Sequence, residues 1–327
     1  MASLYVLGTR RKRIVLKEET EWDLYDAALI LEINLNSGNV RTCVEYESPP
    51  EARPCDKSST IFKSGTLCGD TLYACTKTEV LIFKVPEFER INYISLPCFH
   101  DLHHVTPAHD GTLLVANTGL DMVAKVSLEG ELLESWNVLG EPPWNRFSPT
   151  TDYRKIHTTK PHKAHPNFVF QLDETIWVTR FHQRDAICLN DSGRRIEIAV
   201  EAPHDGVVVG DEVLFTSVDG RVIIADTEKL RLSEVIDLKQ IDGQDALLGW
   251  CRGLLPLDKR KAWVGFSRIR KTWYQENVRW VKGVFREGMR EKPTHMSLYD
   301  LAEKRCIQEF DLEAHGMHVV FSIFKAL

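Results

Sequence analysis

The sequence lacks the features of membrane-spanning and exported chains. No apolar run approaches the roughly 18 residues that a bilayer-crossing helix needs. The N-terminus, which begins Met1-Ala2-Ser3-Leu4, has no basic region followed by a long apolar stretch, so it is unlike a signal peptide. We therefore expect a soluble, cytoplasmic chain without a transmembrane segment.

Common motifs of cofactor and acyl chemistry are also absent. The sequence has no GxGxxG fingerprint, no phosphate-binding glycine loop and no GxSxG nucleophile elbow. Its eight cysteines form no CxxC pair, so we expect reduced, mostly buried side chains rather than a disulfide framework. The net charge of −6 gives no reason to expect nucleic-acid binding.

Strand patterns, in contrast, recur along the whole chain. Hydrophobic residues make up 43% of the 327 residues, enough for a full core, and they alternate with polar residues far more often than they recur at helical spacing. A two-strand hairpin with Asn, Asp, Ser or Gly at its turn appears repeatedly. Its clearest copies span residues 29–44, 123–133 and 186–193, and looser copies span residues 80–96, 222–238 and 296–312.

This repeat predicts an all-β fold, a six-bladed β-propeller. Six copies of a four-stranded unit in one chain are typical of such a ring, whereas the alternative, a β-sandwich, would need no repeat. The first copy leaves room for only three strands before Glu45, and residues 318–324 form an orphan strand near the end of the chain. We expect this C-terminal strand to pair with the N-terminal blade, because closure removes exposed sheet edges.

Two insertions interrupt the repeat within a single domain that we expect to span residues 1–327. Residues 140–161 are rich in proline and are expected to cross one face of the ring. Residues 268–292 carry eight Arg or Lys against three Glu, with apolar residues at helical spacing, and predict a basic amphipathic helix. Such a helix can cover the channel mouth, stay solvated or contact a membrane surface peripherally.

Histidines open several of the predicted inner strands, which run beside the central channel of a propeller. From the third blade to the closing strand, the aligned residues are His103 or His104, His165, His204, Arg252, and His315 or His318. The second blade breaks the pattern with Ser64. Twelve scattered histidines would seldom align in this way by chance, so we predict that these side chains converge on the axis.

Converging imidazoles predict a metal centre. Neutral imidazole is a common ligand of divalent transition metals, here Fe, Zn, Cu or Mn. The predicted ligands are His103, His165, His204 and His318, with His104 or His315 as substitutes. We expect His100 and His162 to be supporting partners of these ligands.

Arg252 and His104 are the predicted catalytic residues. A guanidinium does not ligate a metal, but its fork suits a carboxylate, sulfate or phosphate and indicates a small anionic substrate. The alternative for Arg252 is an ion pair with Asp205 or Asp101. An imidazole that is not a metal ligand can act as general acid, base or nucleophile.

The stretch that contains His103 and His104 resembles a known motif. Residues 103–116, His-His-Val-Thr-Pro-Ala-His-Asp-Gly-Thr-Leu-Leu-Val-Ala, are similar to the His-His motif of bacterial arylsulfotransferases. The resemblance implies a six-bladed propeller with axial histidines and an arginine, one histidine being transiently sulfurylated. Together with residues 117–121, the segment also looks like NHL-type and gluconolactonase-type propellers.

Three functions follow as hypotheses. The first is a metal-dependent enzyme that acts on a small, anionic molecule at an axial multi-histidine site. The second is metal-free, arylsulfotransferase-like group transfer through a channel histidine. The third is a binding or scaffold propeller without catalysis, because a fold alone implies no function.

Overall fold

Six four-stranded antiparallel sheets confirm the predicted six-bladed β-propeller. The structure is a computed structural model, and it describes residues 3–13, 23–55, 58–191, 193–200, 202–243, 246–269 and 290–327. β-Branched and aromatic residues fill most strands, and Asn, Asp or Gly stands at most turns, which is why these segments pair as hairpins.

The first three blades contain the first eleven strands in chain order. Blade 1 includes β1 (Ser3–Arg11), β2 (Tyr25–Asn34) and β3 (Val40–Tyr46). Blade 2 consists of β4 (Gly65–Cys68), β5 (Thr71–Cys75), β6 (Val80–Lys84) and β7 (Glu89–Ile94). Blade 3 consists of β8 (Leu102–Pro107), β9 (Leu113–Asn117), β10 (Met122–Val126) and β11 (Leu132–Asn137). Short 3-10 turns lie at Pro50–Ala52, Thr118–Leu120, Tyr153–Lys155 and Glu313–His315.

The remaining blades follow the same plan. Blade 4 consists of β12 (Pro166–Leu172), β13 (Thr175–Arg180), β14 (Asp185–Cys188) and β15 (Arg195–Glu197). Blade 5 consists of β16 (Pro203–Val209), β17 (Glu212–Ser217), β18 (Arg221–Asp226) and β19 (Arg231–Asp237). Its connection to blade 6 holds helix α1 (Leu238–Asp242) and β20 (Ala246–Leu247). Blade 6 consists of β21 (Trp250–Pro256), β22 (Lys261–Ser267), then, after β23 (Arg290–Glu291), β24 (His295–Asp300) and β25 (Arg305–Asp311). Strands β20 and β23 pair in parallel.

The repeated hairpins seen in the sequence are the third and fourth strands of the blades. Residues 29–44 form the β2–β3 pair and residues 123–133 lie in the β10–β11 pair. The looser copies correspond to β6–β7, β18–β19 and β24–β25. At the first turn Gly38 has φ 73°, a left-handed conformation that glycine adopts without steric cost.

Closure of the ring joins the two ends of the described chain. The last strand, β26 (Val319–Lys325), pairs antiparallel with β1, with Leu4 opposite Lys325 and Thr9 opposite Val319. It becomes the innermost strand of blade 1. The predicted pairing of the C-terminal strand with the N-terminal blade is therefore confirmed.

The core is divided into layers between neighbouring blades. Six clusters of buried apolar side chains in the described chain each join two adjacent blades. In one of them Trp263 of blade 6 packs with Leu4 and Leu31 of blade 1. Every blade thus buries both faces, and closure completes the last layer.

A β-bulge marks the inner strand of most blades. The inner strands β26, β4, β8, β12, β16 and β21 contact one another around the channel. In all of them except β4, pairing with the second strand shifts register near the start of the strand. The residues left without a strand partner are Phe321, His103, Asn167, Asp205 with Gly206, and Arg252 with Gly253. Bulges re-aim side chains and are common beside active sites.

The insertion of residues 140–161 lies between β11 and β12 and contains no strand. Tyr153 packs with Leu120 of the 3-10 turn after β9. The ammonium of Lys155 donates a hydrogen bond to the carbonyl of Pro50, 2.6 Å away. The insertion therefore reaches back from blade 3 to the segment that precedes blade 2.

Residues 270–289 of the second insertion lie outside the described residues, and the helix predicted for residues 268–292 falls mainly there. Across the part of the chain that the structure describes, no helix has the length and apolar character needed to cross a bilayer.

Candidate functional site

Three of the predicted histidines lie together at one end of the central channel. The ring centroids of His103 and His165 are 4.8 Å apart, and those of His103 and His204 are 6.2 Å apart. Charged side chains surround them. We define the axial cluster as Lys63, Asp101, His103, His165, His204 and Arg252.

The histidines reach the axis from different positions on their strands. His103 is the bulge residue of β8, whereas the bulge residue of β12 is Asn167, two residues after His165, and in β16 it is Asp205, one residue after His204. The backbone compensates for these offsets. His165 (φ 56°) and Asp205 (φ 57°) both have left-handed backbone, and Asp101 (φ 47°) does too. Left-handed backbone at residues other than glycine costs of order 1–3 kcal/mol and is concentrated at functional sites.

Two hydrogen bonds define the protonation of His103. Its Nδ1 lies 3.0 Å from Oδ1 of Asn167, and the Asn167 amide nitrogen donates to the carbonyl of Pro203. Because Oδ1 is an acceptor, Nδ1 of His103 carries the proton, and Nε2 accepts from the Lys63 ammonium 3.2 Å away. Burial, followed by the charge of Lys63, lowers the pKa of His103 to about 3. The ring is therefore neutral, with both nitrogens engaged.

Lys63 and Asp101 form a buried ion pair beside His103. Nζ of Lys63 lies 3.4 Å from Oδ1 of Asp101. Burial lowers the pKa of Lys63, and Asp101 opposes that effect. Burial alone would raise the pKa of Asp101, but the charge of Lys63 holds it well below its ordinary value. Both side chains are almost fully buried, and the attraction between them opposes the desolvation of each charge.

His165 presents an unused ring nitrogen. The Thr159 hydroxyl donates to the carbonyl of Gly119, so its oxygen accepts from Nε2 of His162 at 3.4 Å. Nδ1 of His162 then accepts from Nδ1 of His165, 2.9 Å away. Because Nδ1 of His165 carries the proton in this chain of donors, its Nε2 is unprotonated and has a lone pair. No hydrogen bond among the described residues uses that lone pair. Burial and the neighbouring His103 hold the pKa of His165 well below 6.5.

Asp121 holds the backbone around His165. Its side chain is 0% exposed. Oδ1 accepts from the amides of Ala164 and His165, and Oδ2 accepts from the amide of Lys163, each at 2.9 Å. Oδ2 also pairs with the guanidinium of Arg146. A carboxylate that accepts several amides fixes the loop that carries His165.

His204 is buried without hydrogen bonds. The residue is 2% exposed, and neither ring nitrogen has a partner among the described residues. Its nearest charge is Oδ1 of Asp205, 3.7 Å from Nδ1. Burial lowers the pKa of His204, and Asp205 opposes this effect. Buried polar atoms are nearly always paired, so this ring is a candidate contact for a bound molecule.

Arg252 is held by aromatic rings rather than by carboxylates. Its Cζ lies 4.7 Å from the ring centroid of Phe321 and 5.9 Å from that of Trp250. Lys63 approaches the same Phe321 ring, at 5.0 Å. Within the described chain no ion pair joins Arg252 to Asp205 or Asp101, the pairing predicted as its alternative, although the charge of Asp205 opposes the lowering of the Arg252 pKa by burial. Asp205 instead accepts from the amide of Gly253 at 3.2 Å.

His104 lies between blades rather than on the axis. Its ring stacks on Phe168, with centroids 3.5 Å apart. Nδ1 accepts from the amide of Val169 at 3.3 Å, and Nε2 donates to the carbonyl of Gly65 at 3.2 Å. Both ring nitrogens already have hydrogen-bond partners, so His104 as a catalytic residue or substitute ligand stays a prediction that these contacts do not favour. Because of the bulge at His103, the ring of His103 lies in the channel and the ring of His104 lies between two blades.

Neither histidine of the closing strand joins the cluster. Nδ1 of His318 accepts from the amide of Arg11 at 3.0 Å, and among the described residues no ring contact links it to His103, His165 or His204. His315 is exposed and stacks on Phe310. In blade 1 the bulge places Phe321 at the channel, three residues after His318.

The residues of the cluster fit a transition metal poorly. In the described ranges no group of three or more His, Cys, Asp or Glu side chains could hold a metal ion. His103 has no spare lone pair, and a Lys63 ammonium stands where a ligated cation would have to approach. The metal centre with His103, His165, His204 and His318 stays a prediction that these contacts do not favour.

Sequence reasoning missed part of the site. Lys63 and Asp101 were not predicted as site residues, because the second blade shows no histidine and charged residues are frequent in loops. His182, which lies outside the aligned strand positions, has its ring centroid 5.9 Å from that of His165. His162, expected as a supporting partner, contacts His165 directly, and His100 is buried with its amide bound to Asn117.

Comparison with known proteins identifies the fold and no function. No protein-family model matches the chain, and no curated protein matches it in sequence. A protein of unknown function from Bacteroides caccae superimposes with a TM-score of 0.60 at 13% identity, covering 99% of this chain and 98% of that chain. A chain of a nidogen/laminin complex superimposes with a TM-score of 0.57 at 9% identity, with the same coverage of 99% and 98%. The resemblance to bacterial arylsulfotransferases remains a prediction.

Proposed function

We propose that the axial cluster binds a small anionic molecule whose carboxylate, sulfate or phosphate group contacts Arg252. The observation that carries this proposal is the state of Arg252. Its guanidinium is half-buried at the channel and has neither a hydrogen bond nor an ion pair within the described chain. Its Nε is fully buried.

A half-buried cation whose Nε is fully buried is expensive to leave unpaired. Leaving a charged group without a partner in a protein interior costs several kcal/mol, which folding would avoid unless a ligand completes the site. The rings of Phe321 and Trp250 lie against Arg252, and the in-plane N–H donors are the part of a guanidinium that binds oxyanions in bidentate fashion. An anion is therefore the chemical complement of this side chain.

The histidines supply neutral hydrogen-bonding groups next to this cation. A neutral imidazole offers one donor and one acceptor, and both are unused in His204. Burial lowers the pKa of His204 against the opposing charge of Asp205, and Arg252 and Lys63 add to the effect of burial, which favours the neutral ring. A ligand with an anionic end and a hydroxyl or carbonyl group would satisfy Arg252 and His204 together.

Thermal unfolding in the presence of sulfate tests the proposal. At constant ionic strength, sulfate should raise the melting temperature of the wild-type protein, because a ligand at about 100 times its Kd stabilises by about 2.7 kcal/mol. Arg252→Gln should weaken the apparent affinity by about tenfold or more, the loss expected for a charge-assisted hydrogen bond. Phosphate and acetate serve as further probes.

Arg90 provides the matched control. It is an exposed arginine whose Cζ lies 5.7 Å from the ring of Tyr93, far from the channel in blade 2. Arg90→Gln should leave the response to sulfate unchanged. Equal responses in Arg252→Gln and Arg90→Gln, or no response of the wild type to any of the three anions, would refute the proposal.

His165 favours a second candidate function, group transfer. Its Nε2 lone pair lies beside His103 without a partner, and such a nitrogen can attack an electrophile. With an aryl sulfate, Nε2 would form a bond to sulfur, the sulfur–oxygen ester bond would break, and the phenolate would leave. Incubation with 4-nitrophenyl sulfate should then add one sulfuryl group to His165, which peptide mass spectrometry detects. If His165 is not modified, the group-transfer function is refuted and only the proposed anion binding remains.

A further inference from the structure

The axial cluster leaves both donors and acceptors without partners among the described residues. Arg252 offers N–H donors, and its Nε is fully buried without a hydrogen bond. Both ring nitrogens of His204 are unpartnered, so its neutral ring offers one donor and one acceptor. His165 adds an acceptor, because its Nδ1 donates to His162 and its Nε2 keeps the lone pair. A simple anion would satisfy the donors and leave these acceptors unmet.

The neighbours of His165 fix its Nε2 as an acceptor. Nδ1 of His165 lies 2.9 Å from Nδ1 of His162, and Nε2 of His162 lies 3.4 Å from the Thr159 hydroxyl oxygen. That hydroxyl donates to the carbonyl of Gly119, so it accepts from His162. His165 cannot present an N–H to the channel without breaking this chain. Burial, followed by the nearby His103, holds the pKa of His165 well below 6.5, which favours the unprotonated Nε2.

This acceptor and the Arg252 cation belong to one site. Contacts of 4.8, 3.2, 5.0 and 4.7 Å lead from His165 through His103, Lys63 and the Phe321 ring to Arg252. His165 is half-buried, so its ring is open to a molecule that enters the channel. One ligand can therefore meet both groups, with an anionic end at Arg252 and a hydrogen-bond donor at His165.

We propose that the anion bound by Arg252 also carries a hydroxyl group, and that His165 selects this class of ligand by accepting a hydrogen bond from the hydroxyl. The inference rests on the proposed anion binding and adds the chemical class of the ligand. A hydroxyl can donate to Nε2 of His165, whereas a carbonyl oxygen cannot. A hydroxyl also accepts, which suits the open donor of His204. An ammonium would donate too, but it would add a cation beside Lys63 and Arg252.

Pairs of acids that differ by one hydroxyl test this selection in the wild-type protein. Lactate and 3-hydroxypropanoate carry the hydroxyl at the two carbons of propanoate, and 2-hydroxyethanesulfonate is the hydroxylated form of ethanesulfonate. The melting temperature is measured against the concentration of each acid, at constant ionic strength near neutral pH. At least one hydroxy acid should bind about tenfold more tightly than its parent, the gain expected for one hydrogen bond. Pyruvate, with a carbonyl, and alanine, with an ammonium, should show no such gain over propanoate.

His165→Phe removes the acceptor and keeps a flat ring beside His103. In this variant the ratio of the affinities for the preferred hydroxy acid and its parent should fall to about one. His315→Phe is the matched control, because His315 is exposed and stacks on Phe310, and it should keep the wild-type ratio. The comparison in the wild type needs no variant, so it decides the proposal even where His165→Phe does not fold.

The possible negative results separate this inference from the anion binding on which it rests. Equal affinities for every hydroxy acid and its parent, an unchanged ratio in His165→Phe, or tighter binding of pyruvate or alanine than of the hydroxy acids would overturn the selection of a hydroxyl. Anion binding at Arg252 would stand in each of these cases. No response of the wild type to any of the acids would refute anion binding, and the inference with it.

Discussion

The ammonium of Lys63 donates a hydrogen bond to Nε2 of His103, across 3.2 Å. Blade 2 thus places a cation against a histidine of blade 3, at the position where a metal ligand was expected. On the opposite side of the ring, Asn167 accepts from Nδ1. His103, predicted as a metal ligand, is instead a neutral imidazole beside the cationic Lys63. This contact supports the proposal that the axial cluster binds an anion.

The first prediction concerns the tautomers of the histidines. At neutral pH, His103 and His165 should carry their proton on Nδ1, whereas His104 should carry it on Nε2, because of the acceptors each ring contacts. Long-range nitrogen–proton NMR correlations of selectively labelled protein distinguish the two forms. His109, which is exposed, serves as the reference ring. A proton on Nε2 of His103 would contradict the described arrangement of Lys63 and Asn167.

The second prediction concerns Asp121 as a positioning residue. Asp121→Ala leaves three amides and the Arg146 guanidinium without their buried acceptor, and should lower the free energy of unfolding by about 3–5 kcal/mol. Asp110→Ala removes an exposed carboxylate paired with Lys125 and should cost less than about 1 kcal/mol. Urea denaturation measures both. Similar losses in the two variants would show that Asp121 has no special role.

The third prediction concerns acid stability. Burial lowers the pKa of His104 to about 3, from an ordinary value of 6.5. Between these values the unfolded chain binds a proton and the folded chain does not, so the free energy of unfolding falls as the pH falls. Each such histidine contributes about 1.4 kcal/mol per pH unit in that window.

The variant His104→Gln isolates one of these protons. Urea denaturation at several values between pH 7.5 and 5 should give a slope that is smaller by about one proton than that of the wild type. The variant should also be less stable at neutral pH, since it loses the stack on Phe168. An unchanged slope would mean that His104 is protonated in the folded state.

The fourth prediction concerns metal content. Protein purified without chelators should contain less than about 0.2 equivalents of Fe, Zn, Cu or Mn, because His103 has no lone pair to offer and a cation lies beside it. Elemental analysis by mass spectrometry measures this directly. About one equivalent in the wild type, lost in His165→Ala, would restore the metal-dependent enzyme as the leading hypothesis.

The fold was predictable because the blade is a repeated local pattern. The hairpins at residues 29–44 and 123–133 show alternating apolar residues around polar turns, and six copies with an orphan strand allow one closed arrangement. These signals depend on neighbours in the sequence. They do not require knowledge of which side chains meet across the channel.

The axial cluster was predictable only in part, because its register depends on bulges. A bulge shifts every later side chain, so aligning the first residues of the strands placed His103, His165 and His204 in equivalent positions that they do not occupy. They still converge, through left-handed backbone at His165 and Asp205. Lys63 carried no signal, since nothing in the second blade distinguished it from an ordinary surface lysine.

Anomalous diffraction from crystals soaked in sodium selenate tests the central claim most directly. Selenate is a sulfate analogue whose selenium can be located at its absorption edge. The account predicts a selenium peak in the channel, with oxygens about 3 Å from Arg252 and His204, and no such peak in Arg252→Gln. A channel without selenium, or a transition-metal peak bound by His103, His165 and His204 in its place, would contradict it.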